Sequence, residues 1–297
     1  MSQQELAVII HKLRNFHWGE NINEMRANFE AVFTMPSHPN ATIKSIDVVG
    51  IPADLISTPE ASSEQIILYL HGGGYLFGSR NTHRRVACDF STATKAQVLL
   101  IDYRLAPEYP FPAALEDGLI SYRWLLETGF DSAQIALAGD SAGGNLALGM
   151  MLSLRNNREP LPACALLMSP LTDFARTGRS LQTLAEVDPI VSPELLEIVA
   201  NSYLPEKNFL NSIVSPIYAD LSALPPLLIH VGSQEVLLDD SLRLASKATE
   251  DNVAVELKVW QELIHCFHQF APKLAEGREA IDEAGAFIAQ RLNVDFT

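Results

Sequence analysis

The sequence predicts an α/β protein built on a mostly parallel sheet with helices on both faces. Three observations carry that expectation. Six short, mostly apolar runs rich in Ile, Leu and Val occur at 65–70, 96–103, 134–139, 163–169, 226–232 and 255–260, as expected of strands buried on both faces. Stretches with helical periodicity alternate with them, the pattern of a parallel sheet. One run leads through "GDSAGG" (139–144) into a long apolar, helix-like stretch, a strand-to-helix junction that would hold a side chain at a sheet edge.

Along the chain, the first 35 residues read as two amphipathic helices. Leu6, Ile9, Ile10 and Leu13 make one stripe, and Ile22, Met25, Phe29 and Val32 make another. "MPSHPN" ends the pattern, and "IKSIDVVGIPADLIS" then reads as one or two outer strands. Helices are expected at Ala113–Glu127, Leu146–Arg155, Asp239–Glu250 and Arg278–Leu292. Leu146–Arg155 is apolar nearly all round, as a helix packed on a sheet would be. Residues 177–213 contain no strand pattern and read as an insertion over the sheet. Ser192 before Pro193 and Glu194 is a helix start there, with the helix running to about Tyr203. The expected division is therefore residues 1–40 as N-terminal cap helices and 41–297 as the catalytic domain, interrupted by the cap insertion at 177–213.

Composition bounds the function. A formal net charge of −15 argues against nucleic acid and anionic membrane surfaces as partners, since both attract basic patches. The only apolar run near the start is four residues, Ala7–Ile10, short of a secretory core, and no stretch approaches the roughly 20 apolar residues of a membrane span. Cys88, Cys164 and Cys266 are odd in number and widely spaced, which suits neither a disulfide framework nor a zinc site. The reading is a reduced, cytoplasmic protein.

Ser141 is the candidate nucleophile. Gly139-Asp140-Ser141-Ala142-Gly143 matches G-x-S-x-G between an expected strand and an expected helix. The chain lacks G-x-G-x-x-G and G-K-[ST] at this turn, so nucleotide binding is disfavoured. His71-Gly72-Gly73-Gly74 closes another expected strand, where side chains do not obstruct backbone N–H donors. Gly73, Gly74 and Ala142 are the expected oxyanion donors. A serine nucleophile needs a base and an orienting acid, later in the chain and in the order acid then histidine. Of the histidines that follow, His230 lies inside a strand, while His265 and His268 lie in a loop after one. His265, nearer the strand, is taken as the base, with His268 expected to pack. Glu235 sits in a strand-end loop and is taken as the acid; Asp239 and Asp240 read as the cap and first turn of the next helix. Cys266 is expected to pack rather than react.

Taken together, HGGG, "DYRLAPEYPFPAA" (102–114), GDSAGG, "EVLLD" (235–239) and the late His265 resemble the bacterial hormone-sensitive-lipase family of α/β-hydrolases. The resemblance runs from about residue 65 to 265. It implies an eight-stranded, mostly parallel sheet under a helical cap and hydrolysis of small carboxylic esters, commonly of short acyl chain, without cofactor or metal. It also implies dimers paired through the last strand, here about 253–260. Many members carry Asp where this chain has Glu235. In "DYRLAPE", Asp102, Arg104 and Glu108 are expected to fix the loop beneath the site. Plant gibberellin receptors look similar but lack the histidine, so a pure binding role is disfavoured by His265. An amide or lactone substrate stays open. Phe16, Trp18, Phe29, Phe33, Asp188, Ile190, Val191, Leu195 and Tyr203 are candidates for the pocket wall or for packing.

Overall fold

The computed structural model describes residues 3–293. In chain order it comprises α1 (Gln3–Arg14), α2 (Ile22–Phe33), β1 (Thr42–Val48), β2 (Ile51–Ser57), β3 (Ser62–Leu70), α3 (Arg80–Thr94), β4 (Ala96–Ile101), α4 (Ala113–Glu127), β5 (Ile135–Asp140), α5 (Ala142–Asn156) and β6 (Cys164–Met168). The short α6 (Ser180–Thr183) and α7 (Pro193–Tyr203) follow, then β7 (Leu227–Gly232), α8 (Leu238–Glu250), β8 (Val255–Trp260) and α9 (Ala275–Arg291).

The eight strands form one sheet in the order β1-β2-β4-β3-β5-β6-β7-β8. β2 runs antiparallel to both β1 and β4, and every pairing from β4 to β8 is parallel. The side-chain period of two sends Ile67 and Tyr69 to one face and Leu68 and Leu70 to the other. Both faces are buried, which is why these strands read as continuous apolar runs. Ile67 and Tyr69 belong to a core shared with Val86 and Phe90 of α3 and Ile281 and Ile288 of α9. Leu68 and Leu70 belong to the opposite core, with α4, α5 and the N-terminal helices.

Most expected elements form, with ends displaced by at most four residues and with α4 and β8 at the expected bounds. The helix expected from Leu146 starts at Ala142, directly after Ser141. α7 begins behind Ser192, whose side chain accepts from the Leu195 N–H. α3 has no counterpart in the sequence reading. Its sequence, RNTHRRVACDFSTAT, is polar, and its buried face includes Thr82, His83, Ser91 and Thr94. Those side chains find partners inside the fold, as Ser91 Oγ does at the Ala96 carbonyl (2.9 Å), so apolar periodicity carries little of its signal.

α1, α2 and the stretch between β6 and β7 lie together over the carboxyl ends of the strands. The Arg14 guanidinium donates to the carbonyls of Glu186 and Val187, each at 3.3 Å. Arg26 of α2 reaches the Leu76 carbonyl (2.8 Å), the Ala106 carbonyl (2.9 Å) and the Glu108 carboxylate (2.7 Å). Glu108 thus ties the "DYRLAPE" loop to α2, whereas Asp102 pairs with Arg80 (2.7 Å) and Arg104 with Asp117 (2.8 Å) beneath it. Among the described residues no helix is long and apolar enough to cross a membrane.

Candidate active site

Ser141 links β5 to α5 at φ 52, ψ −117, a backbone conformation that L residues avoid unless the surroundings hold them there. The surroundings do so. The Ser141 N–H donates to the Met168 carbonyl (2.8 Å), and its own carbonyl accepts from the N–H groups of Asn145 (3.1 Å) and Leu171 (3.2 Å). Asn145 is pinned in turn by Tyr75 Oη (2.6 Å) and by donating to the carbonyls of Leu171 (2.6 Å) and Val214 (2.7 Å). Close approach demands glycine at Gly143, where a Cβ would collide with the Leu70 carbonyl.

Asp140, one residue before, binds the loop after β3. Its Oδ1 accepts from the Gly72 N–H (3.1 Å) and Tyr69 Oη (3.0 Å). Its Oδ2 lies 3.2 Å from His83 Nε2 and 3.1 Å from Gln269 Nε2. Burial would raise the Asp140 pKa, but His83 and these hydrogen bonds hold it well below the usual carboxylate range. His71 faces away from chemistry. It stacks on Tyr103 (centroids 4.2 Å apart), its Nδ1 donates to the Gly72 carbonyl (2.8 Å), and its carbonyl accepts from Tyr103 Oη (2.5 Å). Burial and the neighbouring His83 pull its pKa down to about 4.

Gly73 takes φ +116, and a Cβ there would strike the Phe77 carbonyl. The Gly73 carbonyl accepts from the N–H groups of Leu76 and Phe77, both at 3.0 Å. The N–H groups of Gly73 and Gly74 donate to no group among the described residues. Ala142 opens α5, where a first-turn N–H has no partner within the helix. Gly73 and Gly74 line a cavity together with Ser141 and His265.

On the other side, His265 Nδ1–H donates to Glu235 Oε2 at 2.6 Å. Glu235 Oε1 accepts from the Gly232 N–H (2.6 Å) and Ser169 Oγ (2.7 Å), so its carboxylate is fully buried yet saturated. Burial lowers the His265 pKa, but Glu235, with Asp188 and Asp140 behind it, more than reverses this and leaves it raised. Asp239 and Asp240 do not turn toward His265. Asp239 Oδ2 accepts from the N–H groups of Arg179 (2.6 Å) and Ser180 (3.1 Å). Asp240 Oδ2 accepts from those of Thr172 (2.6 Å) and Asp173 (3.0 Å). His268 Nε2 meets His230 Nδ1 at 3.1 Å inside the core. Burial, with Asp140 and Glu235 nearby, pushes the Cys266 thiol well up, so it stays protonated.

Ser169 escaped sequence reading. It follows β6 at φ 49, holds Glu235, and accepts from the Cys266 N–H at 3.2 Å. Its place at the carboxyl end of a central strand was the available signal.

The cavity encloses about 50 Å³. Trp18, Phe29 and Phe33, with Ile190, Val191 and Leu195, form its apolar lining. Phe16 and Asp188 instead line an adjoining opening that shares Trp18 with the cavity. Tyr203 stacks on Tyr75, centroids 3.7 Å apart, and serves packing.

A family model described as the alpha/beta hydrolase fold matches residues 67–269. An acetyl-hydrolase of Streptomyces hygroscopicus is 40% identical over 246 residues, covering 80% of this chain and 82% of the relative. An esterase of Acinetobacter venetianus is 36% identical over 261 residues, covering 88% of this chain and 86% of its own length. A crystal structure of an esterase from the bacterial hormone-sensitive lipase family superposes with a TM-score of 0.96 at 41% identity, covering 98% of this chain and 99% of that one.

Proposed function

This chain belongs to the bacterial hormone-sensitive-lipase family of α/β-hydrolases and is a carboxylic-ester hydrolase; from that premise we propose that it cleaves esters of short-to-medium acyl chain through a Ser141–His265–Glu235 triad. Ser141 Oγ attacks the ester carbonyl while His265 takes its proton. Glu235 holds the imidazole in the tautomer with the proton on Nδ1 and stabilises the imidazolium that forms. The oxyanion is met by the N–H groups of Gly73, Gly74 and Ala142, each such donor contributing a factor on the order of 10²–10³. The alcohol leaves with the proton from His265, and water clears the acyl-enzyme by the same steps.

The observation that carries this reading is the convergence on one cavity of a strained serine, a histidine bonded to a buried carboxylate at 2.6 Å, and two glycine N–H groups with nothing to bind. The acyl preference follows from size. The cavity is small, about 50 Å³, and walled by aromatic and aliphatic side chains, which supports a short acyl chain. Residues 1–40 and 177–213 act as the cap that bounds it. Three buried, unpaired cysteines suit a reducing, cytoplasmic setting. β8 is an edge of the sheet and offers a strand for pairing with a second copy.

Hydrolysis of p-nitrophenyl esters from acetate to dodecanoate tests this. Wild type is expected to peak at or below about six carbons, and Ser141→Ala to lose at least about 10⁴-fold in kcat while keeping its melting temperature. Near-normal turnover by Ser141→Ala would overturn the mechanism, and a maximum at the long end would overturn the chain-length assignment.

A further inference from the structure

Asp188 stands in the segment between β6 and β7, in sequence 47 residues before Glu235. It is 9% exposed, and its carboxylate is held entirely by backbone. Oδ1 accepts from the N–H groups of Ile190 (2.9 Å) and Val191 (3.0 Å), and Oδ2 from that of Val236 (2.9 Å). The first two bonds close a local turn and need only one oxygen. The third does something different. It reaches across the chain to the residue after Glu235, while Ile190 and Val191 wall the substrate cavity. One carboxylate therefore joins the cavity wall to the loop that presents the acid.

No Lys or Arg among the described residues forms an ion pair with Asp188. Arg14, which lines the same opening as Asp188 and Glu186, spends its guanidinium on the carbonyls of Glu186 and Val187. A buried carboxylate without a cation is costly. His265, whose charge favours the ionised form of Asp188, becomes a cation during turnover.

We propose that Asp188 is a positioning residue for the Glu235–His265 pair, fixing the Glu235 loop through Val236 and supplying a second negative charge that stabilises the His265 imidazolium. The inference rests on the proposed triad. The charges facing His265 are Glu235 from the loop after β7, Asp188 from the covering segment and Asp140 from the end of β5, and all three raise its pKa against the lowering effect of burial. Burial and the proximity of Glu235 raise the pKa of Asp188 itself, while His265 and the bonds from Val191 and Ile190 lower it.

Removing this charge makes the imidazolium less favourable, so the His265 pKa falls and the acid limb of kcat/KM moves to lower pH. The test is the pH profile of kcat/KM on p-nitrophenyl butyrate for Asp188→Asn and Asp188→Ser, both neutral and both able to keep a turn acceptor. Expected is an acid limb displaced downward by about half a unit or more, equivalent to about threefold in protonation equilibrium. The plateau kcat should fall about 3- to 10-fold, with KM little changed. A limb that stays at the wild-type position in the folded variants would overturn the proposal, leaving Asp188 a turn residue. Failure of both variants to fold would do the same. Glu235→Gln, run alongside, separates this from the parent reading: if it stays active the triad falls, and if it is inactive while the Asp188 limb is unmoved only the present inference falls.

Discussion

The two walls of the cavity are held by different forces. On the sheet side, Ser141, Asp140, the Gly72–Gly74 loop, Glu235 and His265 are fixed by hydrogen bonds of 2.6–3.2 Å between buried groups. On the covering side, Trp18, Phe29 and Phe33 pack on one another and on Phe77 at centroid separations of 4.4–6.2 Å, and aliphatic side chains complete the lining. Hydrogen bonds are directional and fail within a few tenths of an ångström, whereas apolar contacts of about the right volume repack at modest cost. Under the proposed mechanism the difference divides labour: bond-making falls to the side held by directional bonds, and substrate choice to the side held by apolar packing.

The sharpest way to break this division is to disturb one bond on the sheet side. Glu235→Gln keeps the side chain's shape and removes the acceptor that fixes the Nδ1–H tautomer of His265. We expect kcat to fall by about 10⁴ with KM nearly unchanged and the melting temperature within a few degrees. Steady-state kinetics on p-nitrophenyl butyrate reads it. A loss below about tenfold would mean that the sheet side is not where the chemistry is held.

The covering side should respond in kind rather than in degree. Trp18 separates the cavity from the opening lined by Leu13, Arg14 and Phe16. Trp18→Ala joins the two spaces, so longer chains gain room. One methylene in an apolar pocket discriminates by about 10- to 200-fold; part of the pocket is open, so a rise of about tenfold in the octanoate-to-butyrate ratio of kcat/KM is expected, with kcat on acetate within about threefold of wild type. An unchanged ratio would show that Trp18 is packing and not a boundary.

The same division explains what could be read from the sequence. GDSAGG and HGGG are contiguous because a strand–turn–helix and a loop stripped of side chains are local devices, so Ser141, Gly73 and Gly74 stood out. Glu235 and His265 were reachable only by ordering strands; Asp239 and Asp240 were set aside as the start of a helix, but their bonds to residues 172–180 could be seen only once those residues were placed. Ser169 meets Glu235 across 66 residues and Asp188 meets Val236 across 48; no local pattern announces such pairs. α3 was invisible for a related reason, since its buried polar residues are satisfied by partners elsewhere in the fold. On the covering side, Trp18 and Tyr203 were equal candidates by composition, and only packing sent one to the cavity and the other to Tyr75.

The smallest effect expected concerns acid, and it too distinguishes the two sides. His230 and His268 pack beneath the sheet ends with rings 5.4 Å apart, and His230 Nε2 is 3.6 Å from Glu283 Oε1, too far for a hydrogen bond. Burial pulls the His230 pKa down to about 3 and holds that of His268 well below the ordinary value. Both are therefore neutral in the fold at pH levels where an unfolded chain would protonate them. Below about 6.5 the unfolded state binds more protons, so their contribution is complete above that pH and is lost as it falls, by at most about 1.4 kcal/mol per pH unit for each histidine. Asp240, pushed up to about 7 by burial, acts in the opposite sense over the same window, so comparison of variants carries the test rather than the raw curve. His268→Phe should fold less stably at pH 7.5 yet lose fewer degrees between pH 6.5 and 5 than wild type, by about 2–4 °C per kcal/mol of histidine contribution removed. Trp18→Ala should lower the melting temperature by the same amount at each pH. If the two variants show equal slopes, the acid sensitivity does not reside in the histidine pair, and the sheet side is no more exposed to protonation than the side that covers it.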